Sequence, residues 1–273
     1  MTERQKKIAS YLEELYSKYN RRELVSPDPL QFLYRYDRVE DREIAALIAS
    51  SLAYGRVATI LKSVAAVLNC MGSSPRDFIE NTPPIRRQVL FLGFRHRFTG
   101  GGEVAALLDG VQSVIERAGS LGAYLVAERK RCGSLMSALE SLIAALECGF
   151  RNTLLSPPSR GSACKRHFLM LRWMTRHDDV DPGGWDLDPA ELLVPLDTHM
   201  YTICRELGFT CRKSADLKTA EEVTAAFRQI RPDDPVRYDF VLTRFGIRDD
   251  LRQDDLLKQC HEVLSSGKGK CTE

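Results

Sequence analysis

Apolar residues recur three and four positions apart along most of the chain, the pattern of amphipathic α-helices. The first such stripe comprises Ile8, Leu12, Leu15 and Tyr16. The almost wholly apolar run from Ile44 to Leu52 predicts a buried helix, with Asp41 as its N-cap. No segment alternates convincingly in the manner of a half-buried strand. We therefore expect an all-α protein with about a dozen helices.

Glycine and proline mark the breaks between the predicted helices. Gly55 interrupts two apolar segments, and the run from Thr99 to Gly102 predicts a flexible turn. A rigid turn over Leu155–Gly161 precedes a helix predicted from Ser162 to about Arg176. The later predicted helices are Thr198–Leu207, Thr219–Gln229 and Pro235–Thr243, the last ending at Gly246.

Composition excludes several classes of protein. Hydrophobic residues make up 44% and charged residues 28% of the 273, an ordinary globular mixture. Neither a run of about 18 apolar residues nor a signal peptide is present, so we expect a cytoplasmic protein without a membrane span. The eight cysteines are dispersed and lack C-x-x-C spacing, which favours thiols over disulfides and predicts no metal site.

Basic residues concentrate in one segment although the net charge is only +2. Between residues 160 and 176 there are five cations and no acid: Arg160, Lys165, Arg166, Arg172 and Arg176. Gly161 permits a tight turn, and Ser162 can cap the helix that follows. Because the first N–H groups of a helix lack internal acceptors, this start could hold a phosphate.

Two residues could carry chemistry. Lys165 lies in the first helical turn, where the helix dipole and partial burial lower an amine pKa and favour a nucleophile. The alternative is an ordinary surface lysine. Asp197 precedes the helix at Thr198 and can act as its N-cap alone. Alternatively, one carboxylate oxygen caps the helix while the other faces a cleft and accepts a proton.

Three segments resemble the helix-hairpin-helix DNA glycosylases. Gly161-Ser162-Ala163-Cys164-Lys165 is similar to their G-V-G-x-K hairpin, although Ala163 replaces the second glycine. Pro195-Leu196-Asp197-Thr198-His199 is similar to their P-V-D-T-H segment. The run Ile44–Arg56 resembles the buried helix and loop that open their helical barrel. Most of the chain also resembles a bacterial family of unknown function that carries L-A-Y-G-R, S-A-C-K-R and P-L-D-T-H segments.

The resemblance implies a two-lobed fold and an activity. A helical barrel lobe would span residues 40–176, and the second helical lobe residues 1–39 and 177–273. Lys165 would attack the sugar C1′ and form a Schiff base, assisted by Asp197. Gly161, Ser162, Ala163, Arg160 and Arg166 would hold a phosphate of damaged double-stranded DNA. The target base would flip out of the duplex, and β-elimination would cut the strand. A monomer without a cofactor is expected.

Spacing refines the implied substrate. Lys165 precedes Asp197 by 32 positions, a separation longer than in the endonuclease III-like members and closer to that of the archaeal 8-oxoguanine glycosylases, which it resembles in this respect. An oxidised purine such as 8-oxoguanine is therefore the expected base. The iron–sulfur members need four close C-terminal cysteines, and only Cys260 and Cys271 lie there, so no cluster is expected.

Several residues have two interpretations. Tyr54 or Arg56 could be a wedge that replaces the flipped base, or their loop could be a helix end with Gly55 in the left-handed conformation. Trp185 could stack on a base, and His199 could be a base or merely pack its ring. Residues 178–191 hold six acids and no lysine or arginine, which favours a solvated loop. The alternative functions are a non-catalytic DNA- or RNA-binding hairpin module and an all-α interaction protein.

Overall fold

The computed structural model describes residues 2–147, 152–248 and 250–265. Helices dominate these residues, so the all-α prediction is confirmed. The α-helices in the described ranges are Glu3–Tyr19 (α1), Val39–Ser51 (α2), Val57–Met71 (α3), Pro75–Asn81 (α4), Pro84–Leu90 (α5), Gly101–Ala118 (α6), Leu121–Cys132 (α7), Leu135–Leu146 (α8), Lys165–Thr175 (α9), Thr198–Glu206 (α10), Leu217–Ile230 (α11), Asp239–Ile247 (α12) and Gln253–Ser265 (α13). Short 3-10 turns lie at Arg22–Leu24, Pro29–Arg35, Pro158–Arg160 and Pro189–Glu191.

A small antiparallel hairpin joins the helices α5 and α6. Its strands are Arg95–His96 (β1) and Thr99–Gly100 (β2). Arg95 lies opposite Gly100, and His96 lies opposite Thr99. Each strand has only two residues, too few to produce the alternation by which a strand is recognised in a sequence.

The chain folds into two compact units. The first combines the described residues of Met1–Val25, Gly161–Phe168 and Asp188–Glu273. The second combines those of Ser26–Arg160 and Leu169–Leu187. The chain passes from the first unit to the second within α9. The glycosylase-like lobes expected at residues 40–176 and in the remainder stay a prediction.

In the first unit, α1 packs against α11, α12 and α13, and α10 packs against α12 and α13. The apolar stripe predicted on α1 is confirmed for Ile8, Leu12 and Leu15, which are buried. Glu13, on the same helix, accepts hydrogen bonds from Arg231 Nε at 3.0 Å and Tyr238 Oη at 2.6 Å. These bonds tie the N-terminal helix to α11 and to the turn before α12.

The second unit is built around α2, which is buried along most of its length as predicted. Its Glu43 is fully buried and caps α7 from outside that helix. One carboxylate oxygen accepts from Leu121 N at 2.8 Å, and the other accepts from Gly122 N at 2.9 Å. Burial raises the pKa of Glu43, while these donors oppose that rise. Nothing in the local sequence pattern around Glu43 predicts that this acid is buried.

The predicted N-cap role of Asp41 is wrong. The helix α2 begins earlier, at Val39, which places Asp41 within its first turn. Its carboxylate instead accepts hydrogen bonds from Ser74 Oγ at 2.7 Å and Arg76 N at 2.9 Å. Asp41 thus accepts from hydrogen-bond donors at the start of α4. These donors lie far along the sequence from Asp41, so a local capping rule cannot predict the contact.

The late helix is also displaced from its predicted position. It runs from Asp239 to Ile247 rather than over Pro235–Thr243, because Pro235 lies in the preceding turn. Gly246 does not end this helix. A Cβ at Gly246 would lie 2.6 Å from the His199 ring, so the glycine serves close packing inside α12.

The flexible turn predicted over Thr99–Gly102 is wrong as well. Thr99 and Gly100 form β2, while Gly101 and Gly102 form the first turn of α6. A Cβ on Gly101 would lie 1.6 Å from the Phe91 carbonyl oxygen. Gly101 is therefore required for a close approach between two backbone segments, not for flexibility.

Replacing Gly101 with alanine should destabilise the protein by about 1–3 kcal/mol, because the Phe91 backbone must move. Gly102 provides a matched control in the same turn, since nothing lies within 4 Å of a Cβ there. Gly102→Ala should be neutral or stabilise by up to about 1 kcal/mol. Urea denaturation of both variants measures the difference. Equal effects would contradict the close Phe91–Gly101 contact.

Within the described residues, no single helix has both the length and the apolar character needed to cross a membrane. The helices α3 and α4 satisfy that test only when taken together, and they are bent by 56° where they join.

Candidate functional site

Lys165 and Asp197, 32 positions apart in sequence, form an ion pair in the first unit. Lys165 Nζ lies 3.2 Å from Asp197 Oδ2. The lysine side chain is 32% exposed and the aspartate side chain 16%, so both are shielded without being inaccessible. This separation permits direct transfer of a proton from the ammonium to the carboxylate.

The two oxygens of Asp197 have different partners. Oδ1 accepts from Met200 N at 2.9 Å, which makes Asp197 the N-cap of α10 as predicted. Oδ2 points to Lys165. The helix cap therefore fixes the orientation of the carboxylate. The same bond thereby sets the direction of the second oxygen, which faces the Lys165 amine.

The helix that carries Lys165 begins three residues later than Ser162, its predicted start. The carbonyl of Cys164 accepts from His167 N at 3.0 Å and from Phe168 N at 3.1 Å, so the helix starts at Lys165. Gly161 and Cys164 have φ values of +74° and +47°. Gly161 and Cys164 are therefore the residues of this turn that adopt the left-handed conformation. Ala163 does not need the conformation that a second glycine would allow.

The turn before Lys165 is attached to the start of α11. The Gly161 carbonyl accepts from Leu217 N at 3.1 Å, and Ser162 pairs with Asp216 as an isolated antiparallel bridge. Asp216 also caps α11 by accepting from Thr219 N at 2.9 Å, a bond that holds the pKa of its carboxyl far below the usual range. An aspartate directly before an amphipathic helix is a common N-cap signal, so the capping role of Asp216 is predictable from the sequence.

The predicted anion-binding stripe is wrong at two of its five positions. Arg172 and Arg176 are buried in the second unit rather than presented to solvent. Arg172 Nη2 lies 3.1 Å from Asp181 Oδ1, and Arg176 forms ion pairs with both Asp181 and Asp178. The acidic segment 178–191 is therefore not simply a solvated loop, because Asp181 is fully buried among these cations.

Four of the five predicted phosphate contacts belong to the same unit as Lys165. Gly161 and Ser162 are exposed, and Ala163 is half-buried. Arg166 is half-buried in the first unit, while the exposed Arg160 belongs to the second unit. A Cβ at Gly161 would meet nothing within 4 Å, so the backbone of this turn is open to an approaching ligand.

His199 lies on the same helix as the Asp197 cap. Its Nδ1 is 2.8 Å from Gln253 Oε1, and its ring packs over Gly246. These contacts agree with the ring-packing interpretation of His199.

The remaining predicted residues belong to the second unit. Trp185 is only 6% exposed, and its Nε1 donates to Glu43 Oε2 at 2.8 Å, which favours packing over base stacking. Tyr54 is half-buried, and its hydroxyl lies 2.7 Å from Thr99 Oγ1. Arg56 is exposed, and Gly55 has a φ of +93°, the left-handed conformation weighed for this loop.

Other features of the described chain bear on cofactors. A cavity of about 550 Å³ in the second unit is lined partly by Glu103, Asp109 and Asn152 and contains none of the predicted site residues. No group of three His, Cys, Asp or Glu side chains among the described residues is arranged to hold a metal ion. Six cysteines are present as thiols, and Cys148 and Cys271 lie outside the described residues.

The fold and the site thus define a helical protein with a lysine–aspartate pair beside a glycine turn. Residues 28–248 match a family described as "Protein of unknown function (DUF2400)", and the chain belongs to that family. The matched region includes both Lys165 and Asp197. No curated protein and no solved structure matches the chain.

Proposed function

We propose that this protein is a bifunctional DNA glycosylase/lyase that removes a damaged base through a Schiff base on Lys165. One observation supports this proposal above the others. Lys165 Nζ lies 3.2 Å from a carboxylate oxygen of Asp197, whose other oxygen is held by the α10 cap. A nucleophilic amine needs a nearby acceptor for its proton, and here that acceptor has a fixed orientation.

The chemistry balances with these two groups. Asp197 accepts a proton from the ammonium of Lys165, which leaves a neutral amine. Nζ then bonds to the sugar C1′ while the bond from C1′ to the base breaks, and the base leaves with the electron pair and takes up the proton held by Asp197. The attached nitrogen gives a proton to the ring oxygen as the sugar ring opens, which yields the protonated Schiff base. Asp197, again a carboxylate, accepts a proton from C2′, and the 3′-phosphate leaves by β-elimination.

The turn before Lys165 is suited to the DNA backbone. The left-handed Gly161 leaves the surface of the turn open, and the first N–H groups of α9 point out of the helix start. We assign the phosphate contact to Gly161, Ser162 and Ala163, with Arg166 as the cation in the same unit. Arg160, which the resemblance also implies, belongs to the second unit. A two-lobed helix-hairpin-helix glycosylase architecture belongs to the same proposal.

The proposed substrate is damaged double-stranded DNA that carries an oxidised purine such as 8-oxoguanine. The long separation of Lys165 and Asp197 in sequence, similar to that of the archaeal 8-oxoguanine glycosylases, is the support for this choice. The base would be flipped out of the duplex at a cost of a few kcal/mol. The proposed steps use no metal and no organic cofactor.

Borohydride trapping tests the proposal. The native chain, incubated with a duplex containing 8-oxoguanine or an abasic site, should yield a covalent protein–DNA adduct because borohydride reduces the Schiff base. Lys165→Gln should yield none. Lys218→Gln is the matched control, since Lys218 is an exposed lysine in the first turn of α11. It should form the adduct at the native level.

The other outcomes identify the alternatives. Salt-sensitive DNA binding without any adduct would indicate a non-catalytic hairpin module, because phosphate contacts alone make binding depend on salt. Absence of DNA binding would leave Lys165 and Asp197 as an ion pair at a helix start in an interaction protein. An adduct that persists in Lys165→Gln would reject the assigned nucleophile.

A further inference from the structure

Exposed apolar side chains concentrate in one stretch of the second unit. In the part of the chain that the structure describes, the large apolar side chains with high exposure are Ile85, Val89, Leu90, Leu92 and Phe98. All five lie within or just beyond α5 and in the hairpin that follows. Phe98 is the one aromatic ring among them, 62% exposed at the end of the β1–β2 hairpin.

The ring of Phe98 is held in place although it is exposed. It stacks on Tyr54, with ring centroids 5.0 Å apart and planes 20° from parallel. The Tyr54 hydroxyl donates to the His96 carbonyl at 3.1 Å. His96 is fully buried and contacts Ser63 Oγ at 2.9 Å, which anchors the hairpin to α3. A partner of Phe98 would therefore lose little entropy in ordering this ring.

The surroundings of this ring pair are basic. Residues 44–76 and 81–102 contain no acidic residue, and the first acid after them, Glu103, accepts from Gly100 N at 2.9 Å. Four of their arginines are exposed and form no ion pair within the described ranges: Arg56, Arg86, Arg95 and Arg97. Arg97 lies over Gly55, since a Cβ there would be 2.9 Å from Arg97 Cδ. Two cations, Arg56 and Arg97, thus flank the loop that carries Tyr54.

We propose that Phe98 is a stacking platform for an unpaired nucleotide base, with Arg56 and Arg97 contacting the phosphates of that strand. An ordered aromatic ring between unpaired cations is the combination that binds single-stranded nucleic acid without reading its sequence. Bases inside a duplex already stack on each other, so this platform favours unpaired or distorted DNA. The inference shares its nucleic-acid partner with the proposed function but does not depend on the chemistry of Lys165.

The exposed aliphatic side chains provide a way to distinguish a nucleic-acid partner from a lipid surface or a partner protein. Ile85, Val89 and Leu92 are spaced i, i+4 and i+7, a spacing typical of a stripe that a lipid surface or a partner protein would cover. Stacking on a base requires an aromatic ring instead. Leu92, 83% exposed, is therefore the matched control for Phe98.

Fluorescence titration of the full chain with a single-stranded oligonucleotide containing 2-aminopurine tests the inference. We expect the native protein to quench the probe by stacking. Phe98→Ala should bind about 5–150-fold more weakly, the effect of one lost base–aromatic stack. Phe98→Tyr and Leu92→Ala should bind like the native protein. Both Phe98 and Leu92 are exposed, so circular dichroism should remain native for all three variants.

The opposing outcomes are distinct. Failure of the native protein to bind the oligonucleotide, or equal binding by Phe98→Ala, would overturn the inference. So would binding to phosphatidylglycerol vesicles or self-association that Leu92→Ala abolishes while oligonucleotide binding is absent. If native protein forms no borohydride adduct yet binds through Phe98, the glycosylase proposal fails and this one stands.

Discussion

Replacing Asp181 with asparagine should lower the free energy of unfolding by about 3–5 kcal/mol. The Asp181 side chain is fully buried, and one oxygen accepts from Arg172 Nε at 3.2 Å and Arg172 Nη2 at 3.1 Å. The other oxygen binds Arg176. Asparagine keeps the shape of the side chain but removes its negative charge. The two guanidinium groups then stay buried without the carboxylate charge that offsets their loss of hydration.

The size of this effect follows from burial. An exposed ion pair contributes at most about 1 kcal/mol, because water and salt screen it. Here the side chains of Arg172 and Arg176 are only 3% and 4% exposed, so neither cation can turn to solvent when its partner loses charge. The loss should therefore persist at high salt.

Urea denaturation at low and high salt measures the prediction. Asp186→Asn is the matched control, because Asp186 lies in the same acidic segment with its side chain exposed. We expect a change within about 0.5 kcal/mol for that variant. A loss for Asp181→Asn as small as the control's, or one that high salt removes, would contradict the buried network.

The sequence could not reveal this network, because the basic segment and the acidic segment that form it each favoured a different role. Five cations on one segment favoured a phosphate-binding stripe, and six acids on the next favoured a solvated loop. What joins them is a reversal of the chain directly after α9, where Asp178 N donates to the Asp181 carbonyl at 3.0 Å and Val180 N donates to Asp178 Oδ1 at 2.8 Å. That reversal brings Asp181 back against α9. Charge patterns alone do not predict which oppositely charged residues meet after such a turn.

The helix α5 shows a second limit of pattern reading. Its one buried side chain is Arg87, which donates to the Ile79 carbonyl at 2.7 Å and to Asp109 at 2.5 Å. The aliphatic Ile85 and Val89 face solvent. Periodicity assigns the apolar face of a helix to the core, so it would choose the opposite side. Exposure of that face becomes visible only in the structure.

The lysine–aspartate geometry was easier to anticipate. Local signals mark a glycine turn before Lys165 and a capping aspartate before α10, and the resemblance to the helix-hairpin-helix glycosylases implied that the two side chains act together. The structure confirms the cap and the proximity of the two side chains, with 3.2 Å between Nζ and Oδ2. What no local signal could predict is the attachment of the glycine turn to Leu217, since that contact depends on where α11 packs.

The double role of Asp197 leads to the sharpest test of the proposed chemistry. Asn is as good an N-cap as Asp, so Asp197→Asn should preserve α10 and change stability by no more than about 0.5 kcal/mol. It cannot accept a proton from Lys165. The rate of adduct formation in a single turnover should therefore fall by about 10²–10⁴-fold, the usual effect of removing a general base.

Two further variants separate the roles of the carboxylate. Asp197→Ala should lose both the cap and the proton acceptor, and so fall in stability by about 1 kcal/mol as well as in rate. Asp188→Asn changes another aspartate cap, one that accepts from Ala190 N at 2.9 Å and pairs with no lysine among the described residues, and it should leave the rate unchanged. If Asp197→Asn reacts at the native rate while Asp197→Ala does not, the carboxylate acts only by holding the helix. The nucleophile would then need another acceptor for its proton.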